Sequence, residues 1–267
     1  LTLLSLFLSS CASLPFAEEK IEIERNLYTN LPGSSGKVFA VKFDDTSAAH
    51  PQDGVESADI VYITEVEAGF TRLMGIYSSN YPEVLGPIRS ARISDLSILG
   101  EYGKIGYLYS GAQSKMRPVI SAANLVNLSA ERNPPSIYFN EPSRRSPYSM
   151  MVRPNLLLEK AGDVELAKEP GWQHGARAED AKKIISAEIE WANASYEAAW
   201  SVEEKRFLLK HNGKANIASS GIQLGSPMMV IQMVKISPSE YGDKFGGVTP
   251  KSEVIGSGHG YLLRNQR

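Results

Sequence analysis

The chain has one cysteine, Cys11, in 267 residues. No disulfide can form within it, so the fold must rest on an apolar core. It has no apolar run near the ~20 residues that a membrane-spanning helix needs. It has no excess of either charge: 28 Lys and Arg stand against 30 Asp and Glu, a formal net charge of −2. That balance argues against a nucleic-acid surface, which requires a clustered basic excess. Histidine is scarce as well. His50, His174, His211 and His259 are scattered along the sequence and form no HExxH pair, so a zinc site has little support and no metal or cofactor is expected. Ser110-Gly111 lacks the G-x-S-x-G frame of a nucleophile elbow. No fixed-period repeat stands out.

What is present starts at the N-terminus. Leu1 to Leu8 is a short apolar run that ends in Ser9-Ser10-Cys11. This ending resembles the lipobox of bacterial lipoproteins, in which the leader is cut before a cysteine that then carries lipid. A leader of this length suits a signal peptide, and acyl chains contribute ~0.8 kcal/mol per buried CH₂ to membrane anchoring. The expectation is therefore a signal peptide over residues 1–11, lipidation at Cys11, and a polar tether over 12–36 at the extracytoplasmic face of the cell membrane.

The remaining pattern predicts an α/β (α+β) fold. An N-terminal domain over 37–165 holds a mixed sheet with packed helices, and a smaller β-rich domain follows over 178–267. Asp59–Glu67 and Phe70–Ser78 read as strands about a two-residue Ala68-Gly69 turn. That register sets Glu65 opposite Arg72, with Ile63–Met74 and Val61–Ile76 in an apolar row on the same face. Ser90 is expected to cap a helix over Ala91–Tyr102. Pro154 opens another helix, and a short one is expected over Glu179–Ser186. Strands are then expected at Glu188–Ala192, Tyr196–Ser201, Arg206–His211, Pro227–Ile236 and Gly260–Arg264.

Several segments occur in a telling order: His50-Pro51-Gln52-Asp53-Gly54, Ser57 to Tyr62, Glu65 to Arg72, and Gly86-Pro87-Ile88-Arg89-Ser90-Ala91-Arg92. Together they resemble the YerB-like family of bacterial lipoproteins. The likeness continues more weakly through Met229 to Gln232 and Gly256 to Leu262. It implies architecture and location and leaves any reaction open. Relatives tend to carry a histidine where this chain reads Pro147-Tyr148-Ser149, so a role resting on that histidine is not expected here. Relatives also continue into further strands, which makes the second domain look incomplete.

The residues with most chemical promise are Arg72, Arg89, Ser90 and Arg92. Guanidiniums beside a helix start attract anions and grip phosphate or carboxylate bidentately. The competing structural reading has Arg72 neutralise Glu65, with Arg89 and Arg92 pairing with Glu67, Asp95 or Glu101. Glu65 is a weak candidate for a catalytic acid or base. Asp44-Asp45, just past a strand, could hold a hard cation through oxygens, although solvated loop acids are commoner. These features favour a non-enzymatic binding or accessory module at the cell envelope. Its partners would be the membrane, through the lipid, and an anionic ligand or an envelope protein. The alternative is an enzyme that uses the arginines and Glu65 on a phosphorylated or glycan substrate.

Overall fold

The computed structural model describes residues 23–266, apart from 174, 177 and 243–245. Cys11, the leader, the first part of the tether and His174 lie outside the described residues.

The N-terminal half is built on a mixed five-stranded sheet. Its strands are β1 (Phe39–Asp44), β2 (Ile60–Glu65), β3 (Thr71–Tyr77), β4 (Ile105–Leu108) and β5 (Leu125–Asn127), in the order β2-β3-β1-β4-β5. The β2–β3 and β3–β1 pairs are antiparallel, and β1–β4 and β4–β5 are parallel. β1 is buried along its whole length because both its faces are covered. Alternation along the strand divides its side chains. Phe39, Val41 and Phe43 enter one core with Leu73, Tyr77 and Leu108. Val38 and Ala40 enter a second core with Met74, Ile98, Leu99 and Tyr107. Lys42 follows Ala40 onto that second face, where its ammonium pairs with Asp95 at 2.6 Å, both side chains fully buried.

Three local expectations are corrected. The β2–β3 register is one residue away from the predicted one: Glu65 faces Thr71, and Arg72 faces Thr64. The loop is longer than two residues, because the Val66 N–H bonds to the Phe70 carbonyl and Ala68 and Gly69 both take positive φ. A Cβ on Gly69 would lie 2.6 Å from the Ala192 Cβ, so only glycine allows the tip to seat there. The helix expected over Ala91–Tyr102 is α1 (Ile93–Leu99), with a 3₁₀ turn at Gly100–Tyr102. Ser90 does not cap it. The Asp95 carboxylate instead accepts the Arg92 backbone N–H at 2.6 Å. No helix forms over Glu179–Ser186, because the Ile184 N–H is taken by the Gln266 carbonyl at 2.9 Å.

Short elements close the first half. They are α2 (Arg117–Ala122), the hairpin β6 (Tyr138–Asn140) with β7 (Met150–Val152), and α3 (Asn155–Leu158) beginning after Pro154. The second half is all β among the described residues. β8 (Ser186–Trp191), β9 (Ala194–Ser201), β10 (Arg206–His211), β11 (Lys214–Ala215) and β12 (Gly225–Ser226) form one antiparallel sheet. β13 (Met228–Met233) pairs with β16 (His259–Arg264), and β14 (Ile236–Gly242) pairs with β15 (Val248–Ser252). Tyr196, Ala218 and Leu224 from this half pack into the same core as Phe39 and Phe43. Tyr196 thereby reaches the end of β1, where the charged residues collect.

Candidate functional site

At its C-terminal end β1 delivers Asp44 and Asp45 into two separate clusters. The segment Arg89–Ala91 is threaded beside that end. Its Arg89 N–H bonds to the Lys42 carbonyl, the Ser110 N–H bonds to the Arg89 carbonyl, and the Ala91 N–H bonds to the Gly111 carbonyl. Arg89, Ser90 and Arg92 therefore sit outside the carboxyl ends of the parallel strands β1 and β4, a common place for ligands in α/β sheets.

The first cluster contains three guanidiniums. Arg92 donates twice to Glu67 Oε2, at 2.9 Å from Nε and 2.7 Å from Nη2. Arg89 Nε stands 2.7 Å from Asp44 Oδ2, not aligned for a hydrogen bond. Arg72 is 8% exposed and donates to the Ser90 carbonyl at 2.8 Å. Among the described residues, no carboxylate makes an ion pair with it. Burial first, then the charges of Arg92 and Arg89, pull its pKa down to about 9. A guanidinium does not surrender its proton in practice. The downward pull therefore marks a cation in want of a counter-charge. Ser90 Oγ and Ser110 Oγ lie nearby in the fold, 3.4 Å apart, a long contact that leaves both hydroxyls able to turn to a ligand.

The second cluster surrounds Asp45, which is 1% exposed. Its carboxylate accepts the Thr71 hydroxyl at 2.6 Å and the Tyr196 hydroxyl at 2.8 and 2.9 Å. Burial, reinforced by the Asp45 charge, raises the Tyr196 pKa well above its usual value, so that hydroxyl keeps its proton and donates it. Gln52 Nε2 donates to Asp45 Oδ1 at 3.3 Å and to the Asp44 carbonyl at 3.2 Å. Two imidazoles complete the group. His50 Nε2 lies 3.2 Å from Asp45 Oδ1, and His211 Nε2 lies 3.9 Å from Oδ2. The rings stack with centroids 4.6 Å apart, only 6° from parallel. Burial holds the His211 pKa below its usual value, against the opposing pull of Asp45. A cleft of about 370 Å³ opens beside His50, with Ile217, Ala218 and Ser219 on its walls.

Arg72, Arg89, Ser90 and Arg92 lie together in the fold, but Glu65 is not with them. The hairpin register turns it toward Thr71, and the carboxylate that meets an arginine is Glu67, held in the loop by Arg92 and the Thr249 hydroxyl. Asp95 pairs with the Lys42 ammonium and meets Arg92 through its backbone N–H, not its guanidinium. Asp44 and Asp45 do not form a joint oxygen site, because they face opposite ways. The convergence of His50 and His211 is what sequence reasoning missed. His50-Pro51 ends a loop after β1 and His211 ends β10, and no local spacing links the two.

Residues 28–167 match the family model described as "Protein of unknown function (DUF3048) N-terminal domain". The chain is 43% identical over 53 residues to "Putative lipoprotein YerB" of Bacillus subtilis (strain 168). That stretch covers 20% of this chain and 16% of the relative's length. The fold is similar to the crystal structure of YerB protein from Bacillus subtilis, with a TM-score of 0.75 at 17% identity, over 91% of this chain and 84% of that one. The match over more than half of the sequence decides the family: this chain belongs to the DUF3048, YerB-like proteins.

Proposed function

We propose that this protein is a lipid-anchored, extracytoplasmic binding module of the bacterial envelope that takes an anionic ligand at Arg72, Arg89, Ser90 and Arg92. One observation carries the reading: three guanidiniums share two contacting carboxylates, and the buried one, Arg72, has neither in ion-pair contact. A phosphate or carboxylate would supply the missing charge. Arg89 is the most accessible of the three, with 27% of its side chain exposed, so it is the point of entry. The location rests on the leader-like start of the sequence and on the name of the B. subtilis relative. A non-enzymatic role is preferred because Glu65, the proton carrier that the enzymatic alternative required, faces away from the arginines.

The test is calorimetric titration of the purified chain with inorganic phosphate, pyrophosphate and a phosphorylated glycan fragment. Binding by at least one is expected, weakened about tenfold or more in Arg89→Met, the equivalent of about 1.4 kcal/mol. Absence of binding to all three at millimolar concentration would overturn the anion reading, as would unchanged affinity in Arg89→Met.

A further inference from the structure

The Asp45 cluster holds more lone pairs than protons. The Asp45 carboxylate is already served by Thr71, Tyr196 and Gln52. Gln52 Nε2 also stands 3.2 Å from His50 Nε2. His50 Nε2 itself lies 3.2 Å from Asp45 Oδ1, a contact that either an imidazole proton or a metal ion bridges. His211 is 6% exposed, and its Nε2 is buried with no hydrogen-bond partner among the described residues. Asp45, His50 and His211 each bring a ligand atom to this space, and these atoms all lie within 4.8 Å of one another; the two rings are nearly parallel, so one imidazole turns for both lone pairs to meet a single ion. A buried polar nitrogen without a partner costs about 1–3 kcal/mol, and a cation held between His211 Nε2 and the Asp45 carboxylate would remove that cost.

We propose that Asp45, His50 and His211 form a binding site for one divalent cation of the zinc class. The spacing suits it. Zn–N and Zn–O bonds of about 2.0–2.2 Å place the ligand atoms of a tetrahedral site roughly 3.3–3.6 Å apart. His50 Nε2 and His211 Nε2 stand 3.2 and 3.9 Å from the two different oxygens of Asp45, close to that range. The ligand set selects the metal: imidazoles suit zinc, cobalt, nickel and copper, whereas calcium and magnesium take oxygens. Thr71 and Tyr196 fix the carboxylate in place, as outer partners of metal ligands do. Three protein ligands leave a coordination position open, and His50 borders the cleft from which a water or a small ligand would reach it. Asp45 and His50 come from the first half of the chain and His211 from β10, so the bound cation would also tie the two halves together.

Untagged full-length protein and its Cys11→Ser variant are titrated with zinc chloride in the calorimeter. One equivalent is expected to bind in both, with a melting temperature that rises and levels off at that ratio. His50→Ala and His211→Ala are expected to weaken binding at least tenfold. Cobalt(II) added to the protein with its own side chains is expected to give the intense visible bands of a four- or five-coordinate nitrogen–oxygen site. That spectrum decides the matter should either histidine variant fail to fold. No zinc binding below millimolar concentration would overturn the proposal. So would binding unchanged in both histidine variants, binding lost in Cys11→Ser, or a cobalt spectrum identical to that of the hydrated ion.

Discussion

Asp44 and Asp45 follow one another at the end of β1, are each 1% exposed, and enter opposite environments. Asp44 turns to the face of Lys42 and meets Arg89, in a cluster whose protons are permanent. Asp45 turns to the face of Phe43 and meets hydroxyls and imidazoles, groups whose lone pairs outnumber their protons. Residue type and burial are the same, so the partners decide the chemistry. The Asp44 side has a cation to spare and calls for an anion. The Asp45 side has electron pairs to spare and calls for a cation.

The sharpest way to break this contrast is to remove each carboxylate. Asp45→Ala leaves the Thr71 and Tyr196 hydroxyls buried without acceptors and takes away the group that holds three elements together. The expected loss in urea unfolding is on the order of 3–5 kcal/mol. Asp44→Ala removes the acceptor of the Thr46 N–H and hydroxyl, but Arg89 can turn its exposed side to water. A loss of about 1–3 kcal/mol is expected. Equal losses at the two positions would end the claim that the environments differ in kind.

The sequence carried the Asp44 side better than the Asp45 side, for a physical reason. Arg89, Ser90 and Arg92 lie within one short run, and β3 brings Arg72 to them, so local pattern and one strand pairing suffice. The Asp45 cluster needs Thr71 from β3, Tyr196 from β9 and His211 from β10, and nothing short of the packed fold assembles these. Glu65 does not face Arg72 because the strands are joined by a longer loop, in which Ala68 and Gly69 both adopt positive φ, and not by a two-residue turn. One residue of slip sends every side chain of a strand to its other face. The fold class was legible because β1, β2 and β3 show strand patterns of ordinary length. The helix expected over Glu179–Ser186 was not there, since periodicity is blind to the Gln266 carbonyl that claims the Ile184 N–H.

Within the arginine cluster, Arg72 and Arg92 offer a smaller contrast. Arg92→Met strips Glu67 of the guanidinium that donates to it twice in a buried loop and is expected to destabilise by about 2–3 kcal/mol. Arg72→Met removes a crowded cation that makes no ion pair with a carboxylate among the described residues, and the extra apolar surface offsets the lost bond to the Ser90 carbonyl. Its stability is expected to stay within about 1 kcal/mol of the parent, measured by the same urea titration without added anion. A loss at Arg72 as large as that at Arg92 would mean that this guanidinium serves the scaffold, and the anion reading would lose its main support.

The smallest effect is a dependence on pH, and it belongs to the Asp44 side. Burial alone would raise the Glu67 pKa. The Arg92 hydrogen bonds, the Arg92 charge and the Thr249 hydroxyl together outweigh it, so the carboxyl titrates below its usual value of 4.5. A folded-state pKa below the unfolded one means that folding favours the charged form. The resulting stabilisation is complete above the unfolded value and is lost as pH falls through the folded one. Glu67→Gln keeps the shape and the Thr249 contact and gives up the charge. It is expected to cost about 1 kcal/mol at pH 7, and the difference from the parent should shrink steadily as pH is lowered below 4.5. Urea midpoints at a series of pH values decide this. A gap that stays constant down to pH 3 would show that the Arg92–Glu67 pair contributes shape and not charge, and the arginine cluster would then be less electrostatic than its geometry implies.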